Sequence, residues 1–141
     1  MSLGNAIRII PRKILADDRG WFLKLIEGRE EFFPPGPVEI YAVSAMPGNI
    51  RGNHYHQDTA EWFCVVQGKG EVAMVDVATG ERFDLVVDSA EPRTIFVPAG
   101  IAHAFRNPAS ANLPLLVVAV ASRPFDPQDT KPFPVFPAPG I

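Results

Sequence analysis

The chain carries three histidines, and all of them fall in one spaced pattern: His54-x-His56, Glu61 five residues further on, and His103 within Pro98-x-Gly100-x-x-His103-x-x-x-Asn107. Residues two apart on a strand point to the same face, so His54 and His56 project together. On the same reading Glu61 enters from the next strand. His103 comes from a distant strand that begins after the Pro98-Ala99-Gly100 turn. Three imidazoles and a carboxylate around one point suit a divalent transition metal such as Zn, Fe, Mn or Ni, with positions left open for water or substrate. Without a metal, the same histidines serve as acid, base or hydrogen-bond donor. Both uses stay open at this stage.

The elements that must position these groups read as strands. Short β-rich runs recur at Gly20 to Glu27, Val38 to Ala45, Glu61 to Gln67, Glu71 to Val77, Arg82 to Val87, Thr94 to Val97 and Leu113 to Ala121, and no segment keeps a helical period. Turn chemistry separates them at Pro34-Pro35-Gly36-Pro37, Pro47-Gly48-Asn49, Gln67-Gly68-Lys69-Gly70, Thr79-Gly80 and Pro98-Ala99-Gly100. Strands at this spacing make an all-β sandwich or barrel. After Arg123 the composition shifts to prolines interleaved with Phe125, Phe133 and Phe136. The division is therefore a barrel over 1–123 and a tail over 124–141, extended and packed on the barrel or on a partner subunit, and unable to form a central strand.

At 141 residues the chain suits one domain. A composition 47% hydrophobic and 21% charged, with a formal net charge of -3, argues against disorder and against a general nucleic-acid binder. The one cysteine, Cys64, excludes an intrachain disulfide and lies in the apolar run Trp62-Phe63-Cys64-Val65-Val66. A reducing cytosol is the expected compartment. No apolar stretch is long enough for a membrane span, so no membrane partner is expected.

With its framing glycines the first half of the pattern is Gly48-x5-His54-x-His56-x4-Glu61-x6-Gly68. Together with the His103 segment it resembles the two signature motifs of the cupin superfamily. That resemblance implies a double-stranded β-helix, the jelly-roll barrel, with its site inside. One departure is Pro92, which stands where the second motif usually opens with a glycine.

Arg51-Gly52-Asn53-His54-Tyr55 is similar to the Arg-Gly-x-His segment of the dTDP-4-dehydrorhamnose 3,5-epimerases and the dTDP-sugar 3,4-ketoisomerases, in which the histidine is the base. Asp18-Arg19-Gly20-Trp21-Phe22 resembles the opening of those enzymes, where the arginine helps to hold the nucleotide diphosphate. Ala121 to Asp129 resembles the closing segment of the ketoisomerases. The run Arg-Gly-Asn-His-Tyr-His, followed by a Glu and Val-Val-x-Gly-Lys-Gly, looks like the cupin domains of C3-epimerases in capsular polysaccharide assembly, described as binding zinc. The late tyrosine that serves the 3,5-epimerases as acid is missing, since Leu115-Leu116-Val117-Val118 occupies that region. Tyr41 and Tyr55 are the two tyrosines present.

The expected function is a nucleotide-sugar epimerase or ketoisomerase acting on a 4-keto-6-deoxyhexose, whose protons beside the carbonyl are acidic. His54 or His103 carries the proton, with Tyr41 as a further catalytic candidate, and Arg19 and Arg51 clamp the diphosphate through paired guanidinium hydrogen bonds. Trp21 and Trp62 are candidates to stack on the nucleobase. Arg51 is out of phase with His54 on a regular strand, so both reach one pocket only if Gly52 marks a bulge. The alternatives are a metal-dependent cupin of another chemistry, a dioxygenase or small-sugar isomerase with His54, His56, Glu61 and His103 as ligands, and a ligand-binding cupin without turnover. Apolar character on both faces of Glu61 to Gln67, with exposed strand edges, points to a homodimer.

Overall fold

The computed structural model describes residues 3–36 and 38–137. The Pro37 end of the first predicted turn and the last four residues of the tail lie outside the described residues. Two five-stranded antiparallel sheets face each other. The first runs β1 (Arg8–Pro11), β9 (Arg93–Val97), β6 (Glu61–Gln67), β11 (Leu115–Ala121) and β4 (Glu39–Ala45). The second runs β12 (Thr130–Pro132), β5 (Ile50–His56), β10 (Ile101–Arg106), β7 (Lys69–Asp76) and β8 (Arg82–Asp88). A separate hairpin joins β2 (Ile14–Asp17) to β3 (Gly20–Leu23), and α1 (Leu3–Ala6) is a single turn. This is the predicted all-β jelly roll of the cupin type.

The strand alternation explains the layers. On β4 and β11 the odd-numbered residues Tyr41, Val43, Val117 and Ala119 turn inward, and they meet Phe63, Val65, Val72, Met74 and Phe105 in one core between the sheets. The even positions of β6, β9 and β11 face outward, where Trp62, Phe96 and Val120 are buried under Ile26, Phe33 and Val38 of the segment leading into β4. The outer face of the second sheet, Ala73, Val75, Ala102 and Ala104, is buried under Val135 and Phe136. Each sheet is thus covered on both faces, which is why β6, β7 and β10 read as unbroken apolar runs rather than alternating ones.

The tail packs on the barrel and also contributes to it. Its residues 130–132 add β12 to the edge of the second sheet, antiparallel to β5, with Pro132 on an edge where no ladder donor is needed. Burial of Val135 and Phe136 is worth about 1.5–3 kcal/mol each. Three short strands, β1, β2 and β12, are absent from the sequence expectations, and β3 stops at Leu23 instead of running to Glu27. They are three or four residues long, too short to show a period of two.

Candidate active site

The predicted cluster assembles. Single ligand atoms of His54, His56, Glu61 and His103 all lie within 4.8 Å of one another. His54 and His56 come from β5, His103 from the adjacent β10, and Glu61 from the start of β6 in the opposite sheet. The Gly100 turn is tied directly to this group, because the Gly100 N–H donates to the His56 carbonyl at 2.8 Å. Gly100 has φ +82°, a conformation that fits a residue without Cβ.

The bulge demanded by Arg51 is present. Pairing of β5 with β10 runs His54↔His103 and then Gly52↔Ala104, leaving Asn53 as the extra residue. Gly52 has φ +113° and Asn53 φ +60°. An added Cβ on Gly52 would stand 2.7 Å from the His103 carbonyl oxygen. The bulge rotates the strand so that Arg51 and His54 line the same cavity, and the Arg51 guanidinium reaches across the mouth to the Ser44 carbonyl at 3.3 Å. Asn53 spends its side chain on the tail: its Nδ2 donates to the Phe136 carbonyl at 3.0 Å, and its Oδ1 accepts from the N–H groups of Val135 and Phe136 at 3.0 and 3.1 Å.

The tautomers of two imidazoles follow from their partners. His103 Nδ1 lies 3.0 Å from the Ile101 carbonyl oxygen, which can only accept, so Nδ1 carries the proton and Nε2 keeps its lone pair. His56 Nδ1 faces the Asp129 carboxylate at 3.5 Å and the Thr130 hydroxyl at 3.2 Å, which favours the same tautomer. Both Nε2 atoms then approach Glu61 Oε1, at 2.8 Å from His56 and 3.4 Å from His103. All three atoms are buried and none meets a hydrogen-bond partner in direction. With both rings neutral in these tautomers, three lone-pair atoms converge with no proton between them, a set that fits a divalent cation. The outer partners of the rings, a backbone carbonyl and a carboxylate, are of the kind that orient metal-bound histidines.

Without a cation between them, Glu61 and His56 favour one another's charged forms. Burial opposes charge on Glu61, but His103, His56 and the Tyr41 hydroxyl outweigh it and hold the carboxyl well below its ordinary range. Burial also opposes charge on His56, where Glu61 and Asp129 prevail and raise it. His54 is pushed down to about 4 by burial and by the neighbouring His103 and His56. Tyr41 donates its hydroxyl to Glu61 Oε2. Burial and the Glu61 charge raise its pKa far above that of a free phenol, so it stays protonated.

A cavity of about 400 Å³ opens over the cluster, and Tyr41 of the first sheet faces His54 and Arg51 of the second across it. Three predicted residues do not come to it. Arg19 sits at the tip of the β2–β3 hairpin, bound to Asp17 at 2.5 Å with its side chain 87% exposed, and does not line the cavity. Trp62, expected to stack on substrate, is 1% exposed and packed against Phe33 and Phe96 on the outer face. The reason is strand alternation: Glu61 points into the cavity, so its neighbour points away. Trp21 is exposed on the hairpin and is likewise absent from the cavity wall. Asn107 of the second motif is structural, since its buried amide donates to the carbonyls of Ala45 and Leu113.

The residues behind and above the cluster are not marked by strand spacing. Asp129 is buried at 4% exposure and accepts from the Asp58 N–H at 2.6 Å and the Thr59 hydroxyl at 2.5 Å while facing His56. Arg123, Phe125 and Glu39 form the cavity rim. They belong to loops or strand ends and carry no periodic signal, although Asp129 closes the segment that resembled the ketoisomerases.

Fold and site together define a cupin-type barrel with three histidines and one glutamate gathered at its mouth. The chain belongs to the polysaccharide biosynthesis C-terminal domain family, whose model matches residues 15–133. It is 25% identical over 117 residues to the spore coat polysaccharide biosynthesis protein SpsL of Bacillus subtilis, covering 79% of this chain and 76% of that one. It is 24% identical over 111 residues to the UDP-2-acetamido-2,6-beta-L-arabino-hexul-4-ose reductase of Pseudomonas aeruginosa, matching 79% of this chain and 28% of the reductase. Among solved structures it is similar to a dTDP sugar isomerase from Desulfovibrio desulfuricans, with TM-score 0.80 and 17% identity over 91% of this chain and 83% of that one. It is also similar to a 3'-monoepimerase from Streptomyces bikiniensis in complex with dTDP-quinovose, with TM-score 0.77 and 22% identity over 90% and 69%. At these identities the structural likeness shows the fold. No helix among the described residues is long and apolar enough to cross a membrane.

Proposed function

We propose that the protein is a nucleotide-sugar epimerase or ketoisomerase that moves a proton beside the carbonyl of a 4-keto-6-deoxyhexose. The observation that carries this reading is the facing pair in the cavity: His54 on the second sheet and the protonated Tyr41 on the first, with Arg51 beside His54 because of the bulge. The substrate class comes from the structural neighbours, whose names include a dTDP sugar isomerase and a 3'-monoepimerase bound to dTDP-quinovose.

In this reading the buried trio His56, Glu61 and His103 holds a divalent cation, and the half-buried His54, which lines the cavity, is the proton carrier. A cation held there would supply positive charge for polarising the sugar carbonyl. His54 removes the proton beside that carbonyl, which needs its ring nitrogen free of metal. Tyr41 is placed to return a proton to the opposite face, the requirement for epimerisation. A single shuttling base suffices for ketoisomerisation. Arg51 binds the diphosphate at the mouth. The exposed Trp21, Phe22 and Leu15 of the hairpin, and Ile40 of the edge strand β4, are surfaces that a homodimer would cover. The buried thiol of Cys64 suits a reducing cytosol.

The test is solvent exchange. Incubation with dTDP-4-keto-6-deoxyglucose in deuterium oxide, followed by NMR, is expected to show deuterium at C3 or C5 for epimerisation, or migration of the carbonyl from C4 to C3 with the new hydrogen at C4 for ketoisomerisation. Absence of both exchange and carbonyl migration sinks the reading. The second reading, a metal-dependent cupin of another chemistry, is favoured by the unpartnered trio itself. It predicts stoichiometric metal without such exchange.

A further inference from the structure

The geometry points to the rim segment Arg123–Asp126 as the nucleotide-recognition element of this cavity, with Phe125 as the stacking platform for the base and Arg123 as the second diphosphate contact beside Arg51. It rests on the nucleotide-sugar reading and assigns to this rim the roles that Trp62 and Arg19 do not fill within the chain. Phe125 lines the cavity yet is 67% exposed, among the largest exposures of any large apolar side chain described. It is nevertheless held in place. Its N–H donates to Glu39 Oε2 at 3.1 Å, and Pro124 and Pro127 flank it. The loop then closes through Asp129 N–H to the Asp126 carbonyl at 3.0 Å, with the Asp129 carboxylate anchored on Asp58 and Thr59. An exposed aromatic on a fixed backbone is a preorganised surface, and every nucleobase presents a π face to it.

The charges around the rim orient the ligand. Glu39 and Asp126 flank Phe125, so the phosphates are repelled from that end, whereas a base edge with N–H donors is accepted there. The guanidinium groups of Arg51 and Arg123 line the same cavity, and both can receive the diphosphate by paired hydrogen bonds. Arg123 is not consumed elsewhere: its side chain is 45% exposed and its ion pair to Asp58 is long, at 4.0 Å. The nucleotide therefore lies with its base outward on Phe125, its diphosphate across the two arginines and its sugar inward over the histidines.

Calorimetric titration with dTDP, UDP and inorganic pyrophosphate tests this on the whole chain. Phe125→Ala is expected to weaken the preferred nucleoside diphosphate by about tenfold or more and leave pyrophosphate binding within twofold. Phe125→Trp is expected to keep the affinity. Arg123→Gln should weaken nucleotide and pyrophosphate alike, by about fivefold or more. If wild-type protein binds a nucleotide and Phe125→Ala binds it equally well, this inference is overturned and the proposed function stands. If wild-type protein binds neither dTDP nor UDP, the proposed function falls and the inference with it.

Discussion

Replacement of Asn53 by glycine separates two duties of one residue. Asn53 occupies a left-handed backbone position, φ +60°, and makes three side-chain hydrogen bonds to the tail. Glycine keeps the backbone conformation at no steric cost and deletes all three bonds. At about 0.5–1.5 kcal/mol each, the loss is roughly 2–4 kcal/mol. At about 3 °C per kcal/mol for a chain of this size, Tm should fall by about 6–12 °C. Asn53→Asp keeps the acceptor for Val135 and Phe136 but sets a carboxylate oxygen against the Phe136 carbonyl, so it too should melt below wild type. Asn53→Ala should be worse than glycine by about 1 kcal/mol, because alanine is strained at positive φ. Thermal unfolding gives the ranking, and amide hydrogen exchange over residues 130–137 shows whether the tail opens first. A glycine variant with wild-type Tm and an equally protected tail would refute the latch.

Other outcomes follow from the same geometry. Gly52→Ala brings a Cβ to 2.7 Å from the His103 carbonyl oxygen and 2.9 Å from Ala104 Cα. It should cost roughly 3 kcal/mol and displace His103, read as lost stability together with lost metal by elemental analysis. Purified wild-type protein is expected to hold about one equivalent of divalent metal and to melt lower after chelation, whereas Glu61→Gln should hold none; full occupancy in that variant removes Glu61 from the ligand set. Trp62→Ala should destabilise by about 3–5 kcal/mol while leaving nucleotide affinity unchanged in the surviving folded protein. Glu30, paired with Arg12 at 2.6 Å, is opposed by burial but held down to about 2 by backbone N–H groups and Arg12, against an ordinary 4.5. Its folded pKa is depressed, so its stabilisation is complete above about pH 4.5 and is lost as pH falls toward 2. Discounted for screening, this is on the order of 2 kcal/mol. Glu30→Gln should flatten acid denaturation over that window.

The sequence carried the cluster because the ligands sit at strand spacing and between glycines that force turns. His54 and His56 share a face by simple alternation, and the Gly100 turn delivers His103. The alternation that placed Glu61 inward also sent Trp62 outward, so only one of these neighbours could serve the cavity. Even the bulge was legible, as a demand that Arg51 placed on Gly52, the residue before the extra Asn53. The support behind His56 was not, because Asp129 lies more than seventy residues away on a loop, where no periodicity reports direction. Arg19 illustrates a further limit: an arginine at a hairpin tip is identified by its motif, but its distance from the cavity depends on how the hairpin docks.

One extra residue in β5 brings recognition and chemistry onto a single wall. Deleting Asn53 would restore a regular strand, in which Arg51 and His54, now two apart, still share a face but lose the twist and the latch that set their spacing. Inserting a residue beside it would instead throw the guanidinium to the outside while the imidazole stayed. Length changes in this strand are therefore heavily constrained, whereas residues 123–126 of the rim lie outside the ladder. Within this architecture, new nucleotide specificities are expected to arise by rewriting the rim, with the bulge retained as the fixed hinge pin of the site.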